Sequence, residues 1–221
     1  MKDANIRRVC SVDVGINTAM VAAIVDSSGT VIARKFLTCG RHNDQRDTLS
    51  TQIAAKQVAS HGGAGKKLGA GFCGALYRRI AGLNLDAARV LIKELMAFAK
   101  AHGAQAVIVE NLKGWKPKGK GTQQKKRFHR FQHRALIKGL THQCEEFGMK
   151  LVSVFARGTS YFAYDGSGPV QRDKSNATLA TFSTGRRYNA DLNAAYNIAA
   201  RGLIVLLKLV VPGVVVREHS E

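Results

Sequence analysis

Cysteines are few and isolated in this sequence. The four of them, Cys10, Cys39, Cys73 and Cys144, lie far apart and form no Cys-x-x-Cys pair. This spacing lacks the signature of a cysteine zinc site, and it does not indicate a disulfide framework in a chain of 221 residues. The reducing cytoplasm is therefore the expected compartment.

Long apolar runs are also missing. The N-terminus lacks the apolar stretch of a signal peptide. The apolar segment 203–216 is short and is interrupted by Lys208, Pro212 and Gly213, whereas a membrane-spanning helix needs about 20 apolar residues. The sequence therefore predicts no membrane contact. It predicts that this segment forms a buried helix followed by a short strand or a packed tail.

Acidic residues are scarce. The chain has 34 Lys and Arg but only 15 Asp and Glu, which gives a formal net charge of +19. Charge alone would concentrate such a chain on nucleic acid or on an anionic membrane surface. The length suits a single domain over residues 1–221, and a hydrophobic fraction of 45% is enough to build a core.

The order of predicted elements is β-β-β-α-β-α-β-loop-α, which indicates an α/β fold with a mixed sheet and flanking helices. Three short β-branched runs joined by turn signals predict an antiparallel meander. Residues 41–82 are interpreted as a partly helical insertion, and 157–190 as a long polar loop. The predicted strands are 6–15, 18–25, 30–37, 106–109 and 151–155, and the predicted helices are 86–101, 131–147 and 190–207.

Two acids occupy strand positions that structure alone does not favour. Asp13 lies between two valines inside the first strand, where aspartate is depleted, although a bulge or an edge position would also accommodate it. Glu110 follows the continuous apolar run 106–109, which is typical of a central parallel strand. Ligands bind outside the carboxyl ends of such strands, and a solvated strand end is the alternative.

A third acid, Asp191, opens the last predicted helix. It shares a helix face with small apolar residues three, four, seven and eight positions on, so we expect it on the side that packs on the sheet. An N-cap role is the alternative, and Asn189 is a competing cap. The small residues of that face are Ala194, Ala195, Ile198 and Ala199.

The predicted strand order allows all three carboxylates to meet at one end of one sheet. Three converging acids repel one another unless a cation lies between them, and Mg²⁺ takes oxygen ligands of this kind. Two such ions stabilise the attacking and leaving oxygens of a phosphodiester displacement. Together with the basic charge, this pattern indicates metal-dependent cleavage of nucleic acid, with two Mg²⁺ or Mn²⁺ ions as cofactors.

The same residues lie in three stretches that resemble the motifs of a RuvC nuclease domain. These are Ser-Val-Asp-Val-Gly-Ile-Asn around Asp13, Val-Ile-Val-Glu-Asn-Leu-Lys-Gly around Glu110, and Asn-Ala-Asp-Leu-Asn-Ala-Ala-Tyr-Asn-Ile around Asp191. Over residues 8–202 the chain is similar to the transposon-associated TnpB proteins, relatives of type V CRISPR effector nucleases. The resemblance implies an RNase H-like fold, the three acids as a catalytic triad holding two Mg²⁺, and RNA-guided cleavage of DNA.

The sequence departs from that family in two places. Members usually carry a large N-terminal part that binds guide RNA, whereas the first motif here begins close to Met1. The expected partners are therefore a DNA substrate and either guide RNA or a separate guide-binding subunit. Residues 157–190 hold no cysteine, so the loop stands in place of a zinc ribbon and no zinc is expected.

A basic segment follows Glu110 directly. We interpret residues 111–130 as a lid whose cations contact phosphates and whose aromatic rings stack on bases; a solvated charge run is the alternative. His129 and His133 are interpreted as part of a basic helix face rather than as metal ligands. The candidate nucleic-acid contacts are Lys113, Trp115, Lys116, Lys118, Lys120, Lys125, Lys126, Arg127, Arg130 and Arg134.

The predicted function is that of a Mg²⁺-dependent endodeoxyribonuclease of the TnpB type, located in a bacterial or archaeal cytoplasm and associated with the nucleoid. The main alternative is a binding module derived from a transposon nuclease that no longer cleaves. A basic structural protein of a ribonucleoprotein explains the charge but not the three acids. A junction-resolving nuclease would require a dimer, and the sequence leaves the oligomeric state open.

Overall fold

A five-stranded mixed sheet lies at the centre of the computed structural model, which describes residues 6–15, 20–61, 68–69, 71–112, 133–173, 175–176 and 178–209. A second, three-stranded sheet precedes the last helix. In chain order the elements are β1 (Arg8–Asp13), β2 (Met20–Asp26), β3 (Val31–Leu37), α1 (Gly40–His61), α2 (Gly74–Ala101), β4 (Ala106–Asn111), α3 (His133–Glu146), β5 (Lys150–Phe155), β6 (Gln171–Arg172), β7 (Leu179–Thr181), β8 (Arg187–Asn189) and α4 (Ala190–Leu207).

The order of the large sheet is β3-β2-β1-β4-β5. Strands β1, β2 and β3 are antiparallel neighbours, which confirms the predicted meander, and β4 runs parallel to both β1 and β5. The turn between β2 and β3 is fixed by Asp26, whose carboxylate accepts hydrogen bonds from the backbone N–H groups of Ser28 and Thr30, both at 2.9 Å. Residues 106–109 of β4 are buried, as a continuous apolar run in a central parallel strand requires.

Helices cover both faces of this sheet. The core on one face joins the sheet to α2 and α3, and the core on the other face joins it to α4. Gly202 of α4 lies directly on β4, because a Cβ atom built at this glycine would stand 2.0 Å from Ile108 Cδ1. A side chain there would push the helix off the sheet. No helix in the described ranges is both long and apolar enough to span a bilayer.

The predicted start of one helix differs from the structure by twelve residues. Helix α2 begins at Gly74 rather than at 86, so the end of the predicted insertion at 82 falls inside a helix. The early turns of α2 expose apolar side chains, among them Tyr77 and Leu85, and this exposure hides the helical periodicity. The predicted strand or tail after α4 lies beyond Leu209 and outside the described residues.

Three short strands interrupt the segment 157–190, which the sequence predicts to be a loop. It contains β6, β7 and β8, which form an antiparallel sheet. Strands of two or three residues are too short to show an alternating apolar pattern, so the sequence gives no strand signal here. The small sheet has its own apolar cluster, which includes Ala163, Val170, Ala180, Phe182 and Ala190.

Candidate active site

Asp13 is the last residue of β1 and Glu110 the next-to-last residue of β4, and these two strands are parallel neighbours in the large sheet. Val12 of β1 is paired with Val109 of β4, so the next residue on each strand brings the two carboxylates to neighbouring positions. Both lie at the carboxyl edge, where open α/β sheets bind ligands. The structure therefore places these two predicted site residues side by side.

Alternation along the strands also puts both carboxylates on the same face. Val9 of β1 and Ile108 of β4 belong to the core under α4, whereas Val12 and Val109 belong to the core on the opposite face. Because side chains alternate with a period of two, Asp13 and Glu110 project toward the face that α4 covers. A single sheet face thus carries both acids.

Asp191 reaches the same place from the first turn of α4. The predicted apolar face behind it is buried against the sheet, with Ala195, Ile198 and Ala199 in that core. Asn189 is the N-cap: its side-chain oxygen accepts hydrogen bonds from the backbone N–H of Asp191 at 3.0 Å and of Leu192 at 2.9 Å. Since Asn189 satisfies the cap, the carboxylate of Asp191 is not needed for that role.

Electrostatics show how closely the acids interact. Burial raises the pKa of Asp13 well above its usual range, and the charges of Glu110 and Asp191 raise it further. The guanidinium of Arg172 on β6 acts in the opposite direction. Asp13 therefore interacts with both other acids, and ionisation of all three together is unfavourable without a compensating cation.

Glu110 is held by two further groups. The hydroxyl of Thr159 hydrogen-bonds to its carboxylate, and the positive charge of Arg201 on α4 acts on it from the same side of the sheet. Burial raises the pKa of Glu110, while Thr159 and Arg201 lower it. Arg201 also donates a hydrogen bond to the backbone carbonyl of Phe155, the last residue of β5.

Solved structures with the same architecture were found by comparison. A Cas12f1–sgRNA–target DNA complex aligns with a TM-score of 0.61 at 15% identity, over 90% of this chain and 51% of that chain. The mini-RNA-guided endonuclease CRISPR-Cas_phi3 aligns with a TM-score of 0.59 at 14% identity, over 89% and 45%. C2c1 of Alicyclobacillus acidoterrestris with single-guide RNA gives 0.53 at 18% identity, over 72% and 20%.

The chain has a RuvC-like fold. The predicted α/β fold class and the resemblance in fold to type V effectors are thereby confirmed. No protein-family model matches the chain, and no curated protein matches it in sequence. The chain spans about half the length of the first two structures and a fifth of the third.

Four residues of this RuvC-like domain lie near the acids without having been predicted as site residues. Thr159 and Arg201 act on Glu110, and Arg172 acts on Asp13. The ring of His133, the first residue of α3, hydrogen-bonds to the backbone of Glu110, and burial lowers its pKa. None of the four belongs to a local sequence motif, and the fold alone brings them together.

The predicted basic contacts lie almost entirely outside the described residues. This applies to every candidate from Lys113 to Arg130 and to the lid 111–130 beyond its first two residues. Arg134 is described, and it is exposed in the first turn of α3, beside His133. Because His133 contacts the backbone of Glu110, helix α3 begins beside the carboxylate site.

The donor set fits hard divalent cations in its chemistry. Three carboxylates supply oxygen ligands, and their mutual repulsion is relieved by positive charge. Within the described ranges, which include Asp13, Glu110 and Asp191, no three His, Cys, Asp or Glu side chains form a group that could hold a metal ion. Mg²⁺ usually takes only one or two carboxylates and keeps several waters, so such an ion does not require all three acids as direct ligands.

Proposed function

We propose that the chain is a divalent-metal-dependent nuclease that hydrolyses phosphodiester bonds in DNA. One observation carries this proposal: two strand ends and one helix start bring Asp13, Glu110 and Asp191 together on the sheet face under α4. The burial of Asp13 beside two other acids costs free energy in a protein that could have placed uncharged residues there. A function that needs converging carboxylates accounts for that cost.

Asp13, Glu110 and Asp191 would hold two Mg²⁺ or Mn²⁺ ions. Such ions, when bound, lower the pKa of water and neutralise charge on the phosphate. Asp13 is the best candidate to contact both ions, since it interacts with both other acids. Glu110 and Asp191 would each complete one coordination sphere, and no covalent bond to the protein is required.

The partners we propose are DNA as substrate and guide RNA, or a separate guide-binding subunit, as the source of specificity. The net charge of +19 supports a polyanionic partner. The Cas12f1 neighbour was solved with sgRNA and target DNA, and its chain is about twice as long as the part that this chain matches. The RuvC-like fold would therefore supply cleavage, and guide binding would lie elsewhere.

Cleavage of labelled single-stranded DNA by the full chain with Mg²⁺ or Mn²⁺ tests the proposal. The comparison is between the wild type and Asp13→Asn, with Asp44→Asn as the matched control. Asp44 is exposed on α1, so its replacement removes the same charge from a residue outside the three acids. We expect cleavage by the wild type and the control, and at least a 100-fold loss in Asp13→Asn, on the order seen when a catalytic electrostatic group is removed.

Two results would contradict the proposal. Cleavage retained by a folded Asp13→Asn variant would show that the reaction does not use this site. A folded wild type that binds DNA but does not cleave it with either ion, even with guide RNA added, would favour a non-cleaving binding module. That second function would account for the net charge of +19 without any use of the three acids.

A further inference from the structure

Thr159 is a buried polar residue in the segment that connects β5 to the small sheet. Its side chain is 2% exposed. Its hydroxyl oxygen lies 2.8 Å from the backbone carbonyl of Ala156 and also within hydrogen-bonding distance of Glu110 Oε1. A hydroxyl has one proton to donate, and the charged carboxylate is the stronger acceptor of the two. Thr159 therefore restrains one oxygen of Glu110.

Helix α4 holds the segment that carries Thr159. The side-chain amide of Asn197 donates to the backbone carbonyls of Thr159 at 2.8 Å and of Phe162 at 2.7 Å. Asn193, fully buried, donates to the Phe162 carbonyl at 2.8 Å and accepts from the backbone N–H of Tyr164 at 2.8 Å. The segment is thus fastened to the helix at three backbone positions.

The two asparagines follow Asp191 at positions two and six on the same helix. Residues four apart lie on one helix face, so Asn193 and Asn197 meet the same segment while Asp191 faces the carboxylate site. Asparagine is a poor helix former, and the bonds to the segment explain its presence at both positions. Docking of α4 therefore sets the position of Asp191 and, through the segment, that of Glu110.

We propose that Thr159 is a positioning residue that orients Glu110 for cation binding, and that Asn197 acts on the site through Thr159. This inference rests on the proposed function. The hydroxyl hydrogen-bonds to one carboxylate oxygen of Glu110, so the other oxygen remains available to bind a metal ion. Partners of this kind, which orient metal ligands, change metal affinity about 10–100-fold when they are removed.

The test measures Mn²⁺ affinity of the full chain by calorimetry, and cleavage alongside it. Thr159→Val keeps the shape and removes the hydroxyl, whereas Thr159→Ser keeps the hydroxyl. Thr141→Val is the matched control, because Thr141 in α3 donates only within its own helix, to Ile137 at 3.0 Å. We expect about 10–100-fold weaker Mn²⁺ binding in Thr159→Val, near-normal binding in Thr159→Ser, and no change in Thr141→Val.

Asn197→Ala provides an independent check. We expect weaker Mn²⁺ binding in this variant, and we expect that combining it with Thr159→Val weakens binding no further than the larger single effect. The effects of two substitutions on Mn²⁺ affinity do not add when both residues act through the same contacts, whereas the effects of independent residues do add. Additive losses would overturn the role assigned to Asn197.

The outcomes separate this inference from the proposed function. Wild-type binding of Mn²⁺ that depends on Asp13 but is unchanged in Thr159→Val would overturn the inference and leave the nuclease proposal standing. Equal weakening in Thr159→Val and a folded Thr159→Ser would also overturn it, since the hydroxyl would then be irrelevant. If the wild type showed no Mn²⁺ binding that depends on Asp13, both this inference and the nuclease proposal would be contradicted.

Discussion

Removing the charge of Asp13 is expected to stabilise the protein when no metal is present. Burial and the charges of Glu110 and Asp191 raise the pKa of Asp13 above the value of about 3.9 that it has in an unfolded chain. The protonated form is therefore favoured in the folded state. The associated stability is complete below about pH 4 and is lost as the pH rises through the folded-state pKa.

The size of the effect follows from the surroundings of Asp13. A buried polar group left without a partner costs about 1–3 kcal/mol, and a fully buried charge costs more. Asp13 is only partly buried by exposed area, and Arg172 offsets some of the repulsion, so we expect the lower part of that range, about 1–2 kcal/mol. For a chain of this size that corresponds to a rise in Tm of about 2–8 °C in Asp13→Asn.

Thermal unfolding followed by circular dichroism, with chelator present, measures this difference. Asp13→Asn should melt above the wild type at neutral pH, and the two should converge near about pH 4. Asp44→Asn, which removes the same charge from an exposed position, should not show this gain. Added Mn²⁺ should raise the Tm of the wild type but not that of Asp13→Asn. A metal-free Asp13→Asn variant less stable than the wild type at neutral pH would refute the reasoning.

Three further predictions concern the fold around the site. Gly202→Ala should lower the free energy of unfolding, measured in urea, by about 1–3 kcal/mol, because the added Cβ would clash with Ile108. Gly82→Ala changes an open position inside α2, so this variant should be as stable as the wild type or more stable. Asn189→Ala should cost about 1 kcal/mol through loss of the cap, and Asn189→Ser should recover most of it. Of the four thiols only Cys73 is not buried, so a disulfide reagent should label one thiol quickly in the native protein and four after unfolding.

The large sheet and the placement of the three acids at its carboxyl edge could be predicted from the sequence because their signals are local. The run 106–109 is apolar throughout, as in a strand buried on both faces, and the helix 190–207 was predicted with the bounds that the structure gives. Asp13, Glu110 and Asp191 stood out because acids are rare and these positions are otherwise apolar. Each of these inferences needs only a window of a few residues.

The remaining parts of the site depend on contacts between distant segments. Thr159 meets Glu110 across 49 positions of sequence, and nothing around Thr159 distinguishes it from an ordinary loop residue. The strands β6 to β8 are too short for a periodic pattern. One usable signal was present: two asparagines four apart inside an otherwise apolar helix, Asn193 and Asn197, indicate a segment held by side-chain hydrogen bonds.

Helix α4 is the element on which the carboxylate site depends most. Asn189 caps the helix, so the carboxylate of Asp191 is not needed for capping. Asn193 and Asn197 hold the segment that restrains Glu110. Gly202 sets how closely the helix approaches β4. Gly202 is eleven positions from Asp191, about 16 Å along the helix axis, so a clash at one end is transmitted as a tilt at the other. Gly202→Ala should therefore weaken Mn²⁺ binding as well as stability, although it touches none of the three acids. A variant that lost stability but bound Mn²⁺ as tightly as the wild type would show that the segment holding Glu110, rather than the seating of α4, defines the site.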